Sequence, residues 1–148
     1  MNIDGIAEKA LEIDADQVVV VNRWKGGPGK IEFFKAGSEG LTPVFPILYV
    51  VSIRLQREFD VRIGSVQSLA VTMSPECSSE ATKTAESLAN FFSIPFLPKG
   101  KIPLKRRVSM HFSSDASRRT QLTFVLLPKF IEAGPRIIIS HAVWESRK

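Results

Sequence analysis

At 148 residues and 16.4 kDa the chain has the length of one ordinary domain, able to bury roughly 70% of the surface its unfolded form exposes without staples. Its 44% hydrophobic and 24% charged residues exclude a wholly disordered polymer, and no apolar run approaches the ~20 residues of a membrane helix. The net charge of +5 is unevenly spread: residues 1–86 hold nine Lys/Arg against twelve Asp/Glu, residues 87–114 five against none, and residues 115–148 six against three.

The chain opens on a short helical lead within 1–16, where Ile3, Ile6, Ala7, Ala10 and Ile13 follow a 3.6-residue period behind an Asn2 or Asp4 cap. QVVVVNRW at 17–24 alternates as a strand, and KGGPGK turns it into IEFFK. GGPGK is no phosphate loop, because Trp24 stands where the first glycine belongs and Ile31 where a hydroxyl should follow Lys30. From Val51 to Ile63 apolar and polar residues alternate, broken at Arg57, which predicts a strand with a bend or turn there. Leu69, Val71 and Met73 continue as another strand.

A central helix over 75–92 follows, with Ser74 as cap, Pro75 at the first position, and Cys77, Ala81, Ala85, Leu88 and Phe92 as its apolar stripe. Phe91 and Phe96 fall outside that stripe and are expected on the surface. Three strands close the chain, near 105–113, 120–127 and 136–145, separated by SSDASRR and PKFIEAGP. In the first, Val108, Met110 and Phe112 should face the core while Arg107, Ser109 and His111 face outward. LTFVLL and RIIIS, by contrast, read as strands covered on both faces. The fold class is α+β: one β-rich domain over 1–148, of about seven mostly antiparallel strands, with an N-terminal helix, a central helix on the sheet and a short basic tail at 146–148.

Catalytic chemistry is absent from the pattern. His111 and His141 lie far apart and Cys77 is the single thiol, so no zinc-type spacing exists and no internal disulfide can form. The acid pairs Asp14/Asp16 and Glu58/Asp60 read as solvated surface, and no nucleophile-elbow, HExxH or kinase signature occurs. The expectation is a non-enzyme with no metal, no cofactor and no small-molecule substrate. The informative segment is FLPKGKIPLKRRVSMHF, residues 96–112, where Lys99, Lys101, Lys105, Arg106 and Arg107 crowd into nine positions. They predict a projecting anion-binding loop, extended by Arg118 and Arg119 on the neighbouring turn. Phe96 and Leu97 beside the cations suit a membrane surface or partner contact, where apolar tips insert. Cations interleaved with aromatics equally suit single-stranded nucleic acid. The bland alternative is a solvated loop whose charges protect an edge strand from aggregation.

The order of elements, with strands through LYVVSIRLQRE and VQSLAVTM, a helix, a basic proline-containing loop, and the pair QLTFVLLPKFIEAG and PRIIISHAVW, resembles the matrix proteins of non-segmented negative-strand RNA viruses, the rhabdovirus type in particular. FPIL at 45–48 is similar to a short budding motif of paramyxovirus matrix proteins, although the Pro-Pro-x-Tyr motif and a lysine-rich N-terminal tail are missing. The resemblance implies a virion structural protein that self-associates as a homo-oligomer and joins anionic membrane to ribonucleoprotein through the basic loop. The acidic N-terminus lacks the features of a secretion signal. With the resemblance, that places the chain inside the cell, in the cytoplasm or at the inner face of a membrane or virion. A small RNA-binding accessory module without membrane affinity is the second reading.

Overall fold

A computed structural model describes residues 3–22, 29–55, 68–101 and 107–145. Helix α1 (Ile3–Glu12) leads into strands β1 (Gln17–Asn22), β2 (Gly29–Gly37), β3 (Gly40–Arg54) and β4 (Leu69–Met73). Helix α2 (Ser79–Phe92) and strands β5 (Arg107–Ser114), β6 (Thr120–Leu127) and β7 (Ile131–Val143) follow. The seven strands make one sheet in the order β1-β2-β3-β7-β6-β5-β4. All neighbours pair antiparallel except β4 and β5, which are parallel. Parallel neighbours cannot be joined by a tight turn, so the chain between them crosses a face of the sheet, carrying α2 with it.

The α2 face holds the main core. Ala81, Ala85, Leu88, Ala89 and Phe91 of the helix are buried against Ile31, Phe33, Leu48, Val50, Val71, Met73, Met110, Phe112, Leu122 and Ile139 of the strands. Phe91 therefore belongs to the interior rather than the surface: it meets Phe33 edge-on at 5.2 Å and Phe92 at 5.0 Å, because the last turn of α2 reaches as far as β2. The helix also starts later than Pro75. Ser74 still extends the sheet, its N–H donating to the Phe112 carbonyl at 2.9 Å. Ser78 is the cap instead, its Oγ accepting from the Ala81 N–H at 3.1 Å.

Two strands depart markedly from their expected bounds. β3 begins at Gly40, where a two-residue turn from Gly37 needs the positive φ of +108° that glycine alone adopts freely. It ends at Arg54, and the remainder of the 51–63 alternation lies outside the described residues. FPIL sits inside β3 with Pro46 and Leu48 buried, so it is interior strand and not a displayed motif. β7 begins at Ile131, five residues early, because a register shift opposite Thr123 and Val125 absorbs Gly134–Pro135 as an irregularity within the strand. The KGGPGK turn falls mostly outside the described residues, but the β1–β2 pairing it was expected to join is antiparallel.

Candidate nucleic-acid interface

Alternation puts the neighbours of the core residues on the opposite face of the sheet. Register aligns one row of them across five strands, Arg54 opposite Arg136, Arg136 opposite Thr123, Thr123 opposite His111, and His111 opposite Thr72. This face has two halves of different character.

Over β4, β5 and β6 it is buried. Ser109 is 0% and His111 7% exposed, which corrects the expectation that both point into solvent. The reason is a closed chain of hydrogen bonds. Thr72 Oγ1 lies 2.6 Å from Ser109 Oγ and 2.7 Å from His111 Nδ1, and Ser74 Oγ lies 3.1 Å from His111 Nε2. Phe130 meets the imidazole edge-on at 4.7 Å. A fully partnered polar network tolerates burial that a lone histidine would not. Burial lowers the His111 pKa, with the charge of Glu76 opposing the shift. Protonation thus favours the unfolded chain: the stability is intact above the ordinary histidine pKa of about 6.5 and is lost as pH falls toward the lower folded value. Urea denaturation at neutral and mildly acidic pH should show wild type losing stability in acid more than a His111→Gln variant does. Equal losses would sink this account.

Over β3 and β7 the same face is open and basic at one end. Glu132 accepts hydrogen bonds from Thr123 Oγ1 and from Arg136, whose Nε lies 2.8 Å from Oε2. The bond from Arg136 is the main cause holding the Glu132 carboxyl below its usual range, and the nearby charge of Arg54 adds to it. Arg107, at the start of β5, sends Nε to Ser68 Oγ at 3.1 Å, and Lys129 is exposed on the β6–β7 turn. Arg54 and Arg136 face each other directly, while Arg107 lies four residues further along β5 than the row they share with His111, about 13 Å at ~3.3 Å per residue, toward the end where the β6–β7 turn carries Lys129. At the other end of the open strip Tyr49 and His141, directly opposite in register, stack with centroids 4.7 Å apart and planes 9° from parallel.

The basic block is divided by this geometry. Residues 95–100 do not project; they run beside β4, where Val71 N–H donates to the Pro95 carbonyl, Leu97 N–H to the Val71 carbonyl and Gly100 N–H to the Met73 carbonyl. The segment covers the edge of the sheet, with Phe96 bridged to Val71 and 36% exposed and Leu97 half-buried. Lys99 and Lys101 are exposed where β4 ends, Lys99 Nζ donating to the Cys77 carbonyl at 3.0 Å. Arg118 and Arg119 lie on the turn after β5, at that same end. Arg118 is exposed, while Arg119 Nε lies 3.3 Å from Asp115 Oδ2 without hydrogen-bond alignment. Arg107 is at the opposite end, about 17 Å away at ~3.3 Å per residue over five residues. Lys105 and Arg106 fall outside the described residues. Sequence reasoning therefore missed Arg54, Arg136, Tyr49 and His141 as one surface. Their positions alternate with apolar neighbours, but only register places them together.

Among the described residues no group of three His, Cys, Asp or Glu could hold a metal ion, and no helix is long and apolar enough to cross a membrane. No family model matches the chain, and no curated protein matches it. A solved structure does: the crystal structure of a probable ribosomal biogenesis protein from Aeropyrum pernix K1 superposes with a TM-score of 0.68 at 20% identity, over 95% of this chain and 76% of that one. This likeness overturns the resemblance to viral matrix proteins, and with it the reading as a virion assembly protein. The order of strands and helix that suggested a matrix protein is shared by a cellular fold, and order alone does not separate the two. Membrane contact and self-association, which came with the viral reading, gain no support from it. What the chain shares with the Aeropyrum protein is the fold.

Proposed function

We propose that this domain is an RNA-binding module that works within a ribonucleoprotein, without catalysis of its own. The observation that carries the reading is the direct pairing of Arg54 and Arg136 across β3 and β7 on the sheet face that α2 leaves uncovered, with Arg107 about 13 Å further along the strands and Lys129 on the turn at that same end. Cations contributed by distant parts of the sequence to one rigid surface suit a polyphosphate backbone. The fold supports the same reading, since ribosome biogenesis joins RNA to protein and the Aeropyrum protein named for it has this architecture.

Electrostatic binding of this kind releases counterions. Four phosphates on a single strand, at about 0.7 each, give an expected slope of log affinity against log salt of about −3. Reversing charge at Arg107 and Lys129, both to Glu, should flatten the slope by about 1.4 or more. These two leave the Arg136–Glu132 pair untouched. A salt-independent affinity, or no binding to any RNA at low ionic strength, would remove the proposal.

A further inference from the structure

The Tyr49–His141 stack lies on the same face as the arginines and has no role in the core. Leu48 and Val50 on one strand are buried against α2, and Ala142 on the other packs against the same cluster. Tyr49 and His141, next to them in sequence, therefore project to the opposite face. His141 is exposed and Tyr49 half-buried, and Ser140 Oγ lies 2.9 Å from His141 Nδ1, which fixes the imidazole plane. A flat ring held nearly parallel to its neighbour, with its outer side in solvent, offers a surface on which another flat ring can settle.

We propose that this pair is the stacking platform for an unpaired RNA base, a reading that rests on the RNA-binding function above and specifies its substrate as a single strand. The strand runs along β3 and β7 from the platform to Arg54 and Arg136. Register shifts on either side of Val50 keep both pairs on one face and leave four rungs between Tyr49–His141 and Arg54–Arg136, about 13 Å at ~3.3 Å each, which is roughly four nucleotides at a stacked rise of about 3.4 Å. Midway lie Ser52, exposed, and its neighbours across the strands, Ile138 and Gln121, both half-buried. These give the path a hydroxyl, an apolar surface and an amide rather than further charge. Aromatic rings at one end and guanidinium groups at the other match the division of labour in single-strand recognition, where stacking holds bases and cations hold phosphates. A duplex cannot use the platform, because its base faces are already stacked on each other.

Fluorescence anisotropy with a labelled, unstructured RNA strand, and with the same strand annealed into a duplex, tests the assignment. Wild type should prefer the single strand. His141→Ala and Tyr49→Ala should each weaken single-strand binding by roughly five- to hundredfold, the range reported for loss of one stacking ring, with duplex binding changed less than about twofold. Tyr49→Phe keeps the ring and should bind like wild type, which separates stacking from any contact of the hydroxyl. If wild type binds RNA with a steep salt response but both alanine variants hold the single strand as tightly, or if the duplex is preferred, the platform is wrong and the RNA-binding module stands. If wild type binds neither RNA at low salt, the module itself is wrong.

Discussion

Phe112→Ala is expected to remove about 3–5 kcal/mol of unfolding free energy, a large part of the 5–15 kcal/mol that holds an ordinary domain together. Phe112 has no solvent exposure and is the largest fully buried side chain among the described residues. It stands on β5 between Met73 of β4 and Leu122 of β6, in the cluster that α2 covers with Ala81, Ala85 and Leu88. Small residues on the helix bring it close to the sheet, so the ring fills space that its neighbours cannot occupy when it is cut back. The backbone adds to the constraint. The Phe112 carbonyl accepts from the Ser74 N–H at 2.9 Å and from Cys77 Sγ at 3.2 Å, fixing the corner between β4 and α2. Those bonds survive truncation to alanine and resist the collapse that would otherwise close the cavity. Phe112→Leu, which keeps most of the volume, should cost less than about 1.5 kcal/mol. Chemical denaturation of the two variants checks both numbers, and an alanine variant within 1 kcal/mol of wild type, roughly the median of point substitutions, would show that the core is not centred on this ring.

Most of the strands were legible from alternation alone, because a half-buried strand writes its two faces into every second residue. Alternation assigns Val108, Met110 and Phe112 to the core, where all three are buried. The other face of β5 was not legible. Ser109 and His111 are polar, and polarity signals solvent unless partners are known. Their partners, Thr72 and Ser74, are more than 30 residues away. The start of α2 differs from the sequence expectation for a related reason: Ser74-Pro75 and Ser78 both suit a helix cap, and the hydrogen bond from Ser74 to Phe112, a contact of the tertiary fold, selects Ser78. Gly134-Pro135 reads as a break in the sequence, whereas a register shift accommodates it inside β7.

The candidate interface was less legible still. A run of cations in the sequence suggests one patch, yet the parallel pairing of β4 and β5 puts Lys101 and Arg107 at opposite ends of those strands. The cluster in sequence becomes two sites in space. Conversely, Arg54 and Arg136 are 82 positions apart and become direct neighbours because β3 and β7 pair. Local spacing cannot report such a meeting. Charge summed along the chain shows that its back half is basic but not which residues share a surface.

The second large effect concerns the acid at that surface, and it has opposite signs in stability and in binding. Glu132→Gln should destabilise the fold by about 1–2 kcal/mol, the strength of hydrogen bonds to a charged group discounted for solvent screening. The discount applies because the Arg136 and Glu132 side chains are 33% and 26% exposed. Glutamine keeps the size of the side chain but not its charge, leaving Arg54 and Arg136 directly opposite with the carboxylate neutralised between them; like charges opposite one another on paired strands repel. Acidity supplies a second check. Since the folded-state pKa of Glu132 is depressed, its contribution is present above the ordinary carboxylate value of about 4.3 and disappears as pH falls through the folded value. Wild type and variant should therefore differ most near neutrality and converge in acid. RNA binding moves the other way: with the carboxylate neutralised, phosphate meets less competition at Arg136, the arginine that Glu132 binds. Affinity at low salt should rise, and the salt slope should steepen by up to about 0.7 for a single strand. Measuring denaturation midpoints and RNA affinity on the same preparation separates the outcomes. A variant that loses stability and affinity together would mean that the arginines need Glu132 in order to present themselves to RNA, and the picture of a carboxylate competing with phosphate would fail.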